Sequence, residues 1–172
     1  MKFEKYLHCD NDDSYISLHD CYANKIYFND NVLSFCFANG FWIIHEHKFS
    51  DVEETVRTDK SRVDFHFEDS SSEDILIYIY QNNIFGKTIR EELPLDKLIS
   101  LINEKNYRLE FIYQYKSYNE LLFECWLWFD KKPYHYECQL KIPTRKAIYC
   151  WNNLCKDKKW WHLRGCLTTA SL

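Results

Sequence analysis

The chain has 172 residues, of which 46% are apolar and 28% charged, which is enough apolar material for the core of one domain. Only three glycines and three prolines are present, which argues against disordered linkers and glycine-rich phosphate loops, and we expect no cofactor. The formal net charge of -4 lacks the basic excess of nucleic-acid-binding proteins, so we expect no direct contact with nucleic acid.

Residues 1–13 are polar and charged and lack the apolar segment of a secretory signal. The apolar runs elsewhere are too short to span a bilayer, so we expect a cytoplasmic protein that does not enter membranes. The eight cysteines are then predicted to be reduced thiols. Four of them lie in strand-like segments, where a thiol acts as a small buried apolar group: Cys36, Cys125, Cys138 and Cys150. Removal of a signal from a secreted precursor would instead make the cysteines candidates for disulfides.

Residues 14–80 contain a first group of predicted strands, arranged as hairpins. A polar turn separates residues 25–28 from residues 32–37. Asn39-Gly40 then predicts a hairpin into residues 41–45, because both residue types tolerate positive φ.

Further strands follow in the next part of the chain. Residues 63–67 alternate between apolar and polar side chains, and the acidic, serine-rich residues 68–74 are predicted to be an exposed loop. Residues 75–80 form a continuous apolar run, which predicts a central strand buried on both faces. Residues 88–93 predict another short strand.

Residues 94–105 predict the one helix. Pro94 suits a first helical turn, where its missing N–H has no partner to lose. Apolar residues then recur at helical spacing, at Leu95, Leu98, Ile99 and Ile102. This apolar stripe is expected to lie on one face of a sheet.

Residues 107–151 show the clearest pattern, an alternation with the period of two that is typical of strands. Short polar turns separate three alternating segments, which are residues 107–115, 121–129 and 134–142. They predict an antiparallel meander, to which residues 145–151 add a strand. Residues 152–172, which include Trp160 and Trp161 among several lysines, are predicted to be a docked tail.

These elements predict a single mostly β (α+β) domain over residues 1–172. It is either an antiparallel meander sheet or a sandwich, with one short helix packed on it. Strand order and oligomeric state stay open at this point.

The polar side of the meander is the candidate partner-binding surface. It combines acidic and aromatic side chains: Glu110, Glu120, Glu124, Trp126, Trp128, His135 and Glu137. Tryptophans beside charges are typical of protein interfaces, in which aromatic residues contribute much of the binding energy. The alternative is that the helix covers Trp126 and Trp128.

Histidines suggest a competing interpretation as an enzyme. His45 and His47 are two residues apart and would share a strand face, but no third ligand lies at a diagnostic spacing, so we expect no metal. His19 beside Asp20 suggests a base with its carboxylate, although adjacent strand residues point to opposite faces. Hydrogen bonds from both side chains to backbone groups are the simpler explanation.

The opening hairpins resemble those of small bacterial β proteins, some of which look like immunity proteins of polymorphic-toxin and contact-dependent growth inhibition systems. The resemblance is carried by Ser17-Leu18-His19-Asp20-Cys21, Ile26, residues 31–37 and Gly40-Phe41-Trp42-Ile43, with a weaker similarity at residues 138–142 and 149–152. It implies a cytosolic, non-enzymatic protein that binds and blocks a toxin, often a basic nuclease domain. It implies no particular binding residues.

Three hypotheses follow from the sequence. The first is an immunity-type inhibitor that binds a cognate protein toxin through the acidic, aromatic surface. The second is a small hydrolase or metal-dependent enzyme built on His19, Asp20, His45 and His47, which requires these side chains to converge. The third is a β module that binds a ligand in an aromatic pocket between sheet and helix.

Overall fold

The structure is a computed structural model that describes residues 5–50, 53–67, 72–82 and 85–155. The strands in chain order are β1 His8–Asp10, β2 Ile16–Ser17, β3 Cys21–Ala23, β4 Lys25–Asn29, β5 Val32–Phe37, β6 Trp42–Ile43, β7 Val56–Thr58, β8 Ser61–His66, β9 Leu76–Asn82, β10 Thr88–Glu92, β11 Arg108–Lys116, β12 Leu121–Trp128, β13 His135–Ile142, β14 Ala147–Trp151 and β15 Leu154–Cys155. The helix α1 spans Leu95–Lys105, and a short 3-10 turn spans Ser72–Asp74. The mostly β prediction with one helix is confirmed.

The strands form three antiparallel sheets. The order is β1-β14-β8-β5-β4 in a five-stranded sheet, β10-β9-β13-β12-β11-β3 in a six-stranded sheet, and β15-β7-β6-β2 in a four-stranded sheet. The predicted meander is the β11-β12-β13 part of the six-stranded sheet. The strand predicted at residues 145–151 belongs instead to the five-stranded sheet, where β14 lies between β1 and β8.

The two larger sheets pack face to face, so the choice between open sheet and sandwich is resolved in favour of the sandwich. Phe35 of the five-stranded sheet contacts Phe111 of the six-stranded sheet, with ring centroids 5.4 Å apart. Phe65 and Phe123 make a second such contact at 5.8 Å. These rings are fully buried and meet edge to face, the arrangement that aromatic pairs prefer. The alternating apolar faces recognised in the sequence therefore line one continuous core, except for Tyr113 and Tyr115, which follow a bulge in β11 and are exposed.

The turn at Asn39-Gly40 does not close a hairpin, contrary to the expectation from its sequence. β5 pairs with β4 and β8, whereas β6 pairs with β2 and β7 in the four-stranded sheet. The turn thus carries the chain from one sheet to another, with Gly40 at φ 68°. The preceding turn does close a hairpin, because Asp30 and Asn31 both have the positive φ of a two-residue loop.

Strand β9 also differs from its prediction. It was expected in the centre of a sheet with both faces buried, but it lies second from the edge, and Ile77 is its only buried residue. Its solvent side carries Leu76, Tyr78 and Tyr80, whose side chains are half-buried. A run of apolar letters did not distinguish tyrosines on a surface from aliphatic side chains in a core.

The helix packs against β4 at the edge of the five-stranded sheet and buries Leu98 and Ile102. Asn106 ends it in the left-handed conformation that is common after a last helical turn. The Asn103 side chain makes two hydrogen bonds to the backbone of Ile26, accepting from its N–H at 3.0 Å and donating to its carbonyl at 2.7 Å. One amide thereby pairs with the open edge of the sheet.

Substitution Asn103→Ala is expected to lower the free energy of unfolding by about 2 kcal/mol, because both backbone groups of Ile26 lose their partner in a half-buried site. The neighbouring Glu104→Ala removes an exposed side chain and should change it by less than about 0.5 kcal/mol. Urea denaturation of the two variants measures the difference. Equal losses would contradict the assigned role of Asn103.

The cysteine prediction is wrong for one pair. Cys9 and Cys150 face each other on β1 and β14 and form a disulfide. The free thiols of Cys21, Cys125 and Cys138 are buried, as expected for small apolar groups, and burial raises the pKa of Cys138 to about 12.

Within the described ranges, no helix is long and apolar enough to cross a membrane. Most of the predicted tail, residues 156–172, lies outside the described residues.

Candidate protein-binding face

The solvent side of the six-stranded sheet, here called the outer face, carries most of the predicted site. Register and alternation place these side chains on it: Tyr22, Tyr78, Tyr80, Arg90, Arg108, Glu110, Tyr113, Tyr115, Glu124, Trp126, Trp128, His135, Glu137, Gln139 and Lys141. The opposite side of β12 is fully buried, since Leu121, Phe123, Cys125 and Leu127 point into the core. The predicted division of this strand into two faces is therefore correct.

Three aromatic side chains form the centre of the outer face. Trp126 and Trp128 are two residues apart on β12, and His135 lies directly opposite Trp128 on β13. The His135 ring centroid lies 4.8 Å from that of Trp126 and 4.7 Å from that of Trp128, and the two indoles are 5.7 Å apart. Trp126 is still 37% exposed. We refer to these three residues as the Trp–His cluster.

Glu110 is the buried support of this cluster. It is only 6% exposed, and Trp128 Nε1 donates a 2.7 Å hydrogen bond to its Oε2. Tyr22 is also hydrogen-bonded to Glu110, and burial together with this bond raises the pKa of the Tyr22 phenol. Glu110 therefore orients Trp128 and Tyr22 and is not itself open to a partner.

The basic side chains of the outer face are already engaged. Lys141 Nζ lies 2.8 Å from Glu120 Oε2 at the far end of β12. The guanidinium of Arg108 lies 5.4 Å from the Tyr22 ring centroid, and that of Arg90 lies 4.6 Å from the Tyr78 ring centroid. Both distances are in the range of cation–π contacts.

Glu124 and Glu137 flank the exposed Trp126. Glu137 is its cross-strand neighbour, and Glu124 precedes it by two residues on the same face. Among the described residues, neither carboxylate forms an ion pair. The centre of the outer face thus has an exposed indole between two unneutralised carboxylates.

The helix does not take the place that would bury this surface. It packs against the edge strand β4 of the five-stranded sheet, and Trp126 keeps its exposure. Of the predicted site residues, the structure brings Glu110, Glu124, Trp126, Trp128, His135 and Glu137 together and leaves Glu120 apart, paired with Lys141.

Sequence reasoning missed the part of the outer face that other segments contribute. Tyr78 and Tyr80 join it because β9 pairs with β13, and Tyr22 joins it because β3 pairs with β11. The spacing of Tyr78 and Tyr80 could have indicated that they share a face. Their position beside the meander depends on long-range pairing that the pattern does not encode.

The histidines of the enzyme hypothesis bind three different carboxylates. His19 Nδ1 lies 3.3 Å from Asp20 Oδ1, a pair that the sequence made improbable. It forms because Asp20 has φ 57°, so the alternation of strand faces does not apply there. His45 Nε2 lies 2.8 Å from Glu46, and His47 Nε2 lies 3.2 Å from Asp10.

His47 is a buried structural residue. The Phe49 N–H donates to its Nδ1 at 3.1 Å, which leaves the proton on Nε2, towards Asp10. Lys48 Nζ lies 2.7 Å from the same carboxylate oxygen, so Asp10 is neutralised within the cluster. Over the part of the chain that the structure describes, no group of three or more His, Cys, Asp and Glu side chains could hold a metal ion.

This cluster predicts a loss of stability in acid. Burial lowers the pKa of His47, and the pKa of Asp10 is also lowered, because the contacts with Lys48 and the Asp12 N–H outweigh the effect of its burial. As the pH falls below 6.5, the ordinary pKa of a histidine, His47 takes up a proton in the unfolded chain but not in the folded chain. Below pH 3.8, the ordinary pKa of an aspartate, the same holds for Asp10.

Thermal melting between pH 8 and pH 5 measures this effect, with His47→Gln as the comparison. We expect the midpoint of the wild-type protein to fall as the pH drops through the region of 6.5, and the midpoint of the variant to fall less. Parallel curves would show that His47 does not contribute.

Two cavities adjoin the six-stranded sheet. One of about 290 Å³ lies beside the bulge of β11 and is lined by Asp13, His19 and Gln114 among others. One of about 400 Å³ lies where β9 ends and β10 and β13 begin, and its lining includes His135 and Glu137. No helix residue lines either cavity, so neither is the pocket between sheet and helix that the third hypothesis requires.

Comparison of the chain with protein-family models, with curated proteins and with solved structures found no match.

Proposed function

We propose that this chain is a non-enzymatic inhibitor of the immunity-protein type, which binds a cognate bacterial toxin through the outer face and blocks it. The observation that supports this function is the exposed Trp126 between two unpaired carboxylates, on a sheet face that the helix leaves open. The resemblance of the opening hairpins to immunity proteins supplies the class of partner.

The Trp–His cluster has the properties of an interface centre. Its side chains are held in place by stacking and by the hydrogen bond to Glu110, so their ordering costs little on binding. Buried tryptophans at the centre of an interface are the residues whose loss most weakens complexes. A partner that covers Trp126 would bury the exposed part of its indole, which favours binding.

Charge defines the partner further. Glu124 and Glu137 lack neutralisation by the described residues, whereas Lys141, Arg108 and Arg90 are engaged. A basic surface is therefore complementary to the centre of the outer face, and such complementarity raises association rates and selects partners. Nuclease toxins carry basic surfaces because their substrates are polyanions.

The enzyme hypothesis has less support. Its four residues are divided among three separate histidine–carboxylate contacts, and His47 is buried, with Nδ1 accepting from the Phe49 N–H and Nε2 lying 3.2 Å from Asp10. A general base needs a nitrogen that can reach a substrate proton.

Co-expression with the product of the neighbouring upstream gene tests the proposal. We expect expression of that product alone to arrest growth of a bacterial host, and this chain to restore it. Trp126→Ala and Glu137→Lys should each abolish the protection by removing the indole or reversing a central charge.

Matched controls keep the same chemical changes away from the outer face. Tyr118→Ala removes an aromatic that is 85% exposed in the β11–β12 turn, and Glu104→Lys reverses an exposed charge on the helix. Both should protect as well as the wild-type chain. A neighbouring product that is not toxic, or that this chain does not neutralise, would overturn the proposed function.

A further inference from the structure

We propose that Trp126, Glu124 and Glu137 form a subsite for an arginine side chain of the partner. The inference rests on the proposed function, because it names the chemistry by which the outer face would hold its partner. The subsite is compact, since Glu137 is the cross-strand neighbour of Trp126 and Glu124 is its neighbour along β12.

The geometry favours a planar cation. A guanidinium stacks on an indole and at the same time donates N–H groups in its own plane to carboxylates at the rim. Directly opposite residues of an antiparallel pair have Cβ atoms about 5 Å apart, and residues two apart on a strand share a face. One guanidinium on Trp126 therefore reaches Glu137 and Glu124 together.

Two arginines of the outer face already lie over aromatic rings. Arg108 lies over Tyr22 and Arg90 lies over Tyr78, on opposite sides of the Trp–His cluster. Indole is a stronger acceptor of cations than phenol, yet Trp126 has no cation over it among the described residues. Trp126 contacts His135 and Trp128, but it remains 37% exposed and its exposed part is available to a cation of a partner.

Arginine fits the subsite better than lysine. A lysine ammonium is strongly hydrated and behaves as a point charge, so it gains less from a flat ring and cannot donate to two carboxylates in one plane. The subsite should therefore distinguish two peptides of equal charge. This difference separates a built subsite from general attraction between an acidic surface and a basic chain.

Titration of the folded protein with hexa-arginine and hexa-lysine peptides at about 0.15 M salt, where the Debye length is about 8 Å, tests the inference. The readouts are tryptophan fluorescence and the indole N–H signals in a nitrogen–proton correlation spectrum. We expect hexa-arginine to bind about fivefold or more tightly than hexa-lysine, with the largest shift at Trp126.

Variants make the test specific. Trp126→Ala and the double variant Glu124→Gln, Glu137→Gln should each remove the preference for arginine, whereas Tyr118→Ala and Glu104→Gln should retain it. Glu124 and Glu137 are half-exposed and exposed, and glutamine keeps their shape while removing the charge. The double variant therefore tests the subsite in a folded protein even if Trp126→Ala disturbs the fold. Equal affinity for the two peptides, no binding of either, or an undiminished preference in both site variants would overturn the subsite.

The peptide experiment requires no toxin, so it separates the two proposals. A chain that prefers hexa-arginine but fails to neutralise the neighbouring gene product has the subsite and another partner. A chain that neutralises the toxin without any preference for arginine is an inhibitor that lacks this subsite.

Discussion

Replacing Gly40 with alanine is expected to lower the free energy of unfolding by about 3 kcal/mol. An L-residue in the left-handed region costs about 1–2 kcal/mol, and Gly40 has φ 68°. An added Cβ would also overlap the carbonyl oxygens of Thr58 and Asp59 and the Thr58 hydroxyl. Such overpacking lowers the free energy of unfolding by a further 1–3 kcal/mol, roughly, because backbone atoms must move to make room.

The close approach of β7 leaves no space for a side chain at residue 40. The Thr58 hydroxyl accepts a hydrogen bond from the Phe41 N–H at 3.0 Å, and the Thr58 N–H donates to the Phe41 carbonyl at 2.8 Å. These bonds hold β7 against the turn through which the chain leaves the five-stranded sheet. Any side chain at Gly40 would push them apart.

Gly86 is the matched control for this substitution. It also has positive φ, at 74°, but no atom of the described residues lies within 4 Å of the place that a Cβ would occupy. Gly86→Ala should therefore lower the free energy of unfolding only by the cost of an L-residue in the left-handed conformation, about 1–2 kcal/mol. Urea denaturation of both variants separates strain from overlap, and equal losses would contradict the close approach of Thr58.

Reduction of the Cys9–Cys150 disulfide is expected to lower the free energy of unfolding by about 2–4 kcal/mol. The bond closes a loop between residues 141 positions apart, so its loss frees a large part of the unfolded chain. It also fixes β1, which carries Asp10 into the cluster with His47.

Urea denaturation with and without dithiothreitol measures this effect. Cys9→Ala should match the reduced wild-type protein and should not respond to the reductant. Cys36→Ala keeps the disulfide, so its response should equal that of the wild-type protein. A wild-type midpoint that is unchanged by dithiothreitol would show that β1 is held by packing alone.

The elements that were predicted well are those that local pattern determines. Alternation over residues 107–142 identified three strands and both faces of β12 and β13, since a period of two leaves only one side for the core. In β11 the alternation predicts the faces only up to Phe111, because a bulge there turns Tyr113 and Tyr115 to the outer face. Pro94 predicted the start of the helix for an equally local reason, which is its missing N–H, and the structure begins the helix one residue later, at Leu95.

The elements that were predicted poorly depend on partners far along the chain. Asn39-Gly40 has the conformation that its sequence suggests, but its flanking strands choose partners in different sheets. The Cys9–Cys150 pair depends on the meeting of β1 and β14, and no local feature of either strand signals it. Pairing of distant strands is decided by the packing of the whole core.

The candidate site divides in the same way. The Trp–His cluster and Glu137 follow from two neighbouring strands and their short turn, so the sequence located them. The hydrogen bond between Glu110 and Tyr22, and the contact of Arg90 with the Tyr78 ring, require strands β3 and β9 beside the meander. Only the structure distinguishes the buried Glu110, which supports Trp128, from the half-buried Glu124 and the exposed Glu137.

Hydrogen exchange of this chain, alone and bound to the product of the neighbouring upstream gene, tests the central claim most directly. Protection on binding should be confined to the six-stranded sheet, with its maximum in β12 and β13 around Trp126 and Glu137, and the helix should be unchanged. Protection centred on the helix or on the five-stranded sheet would contradict the assignment of the outer face as the binding surface.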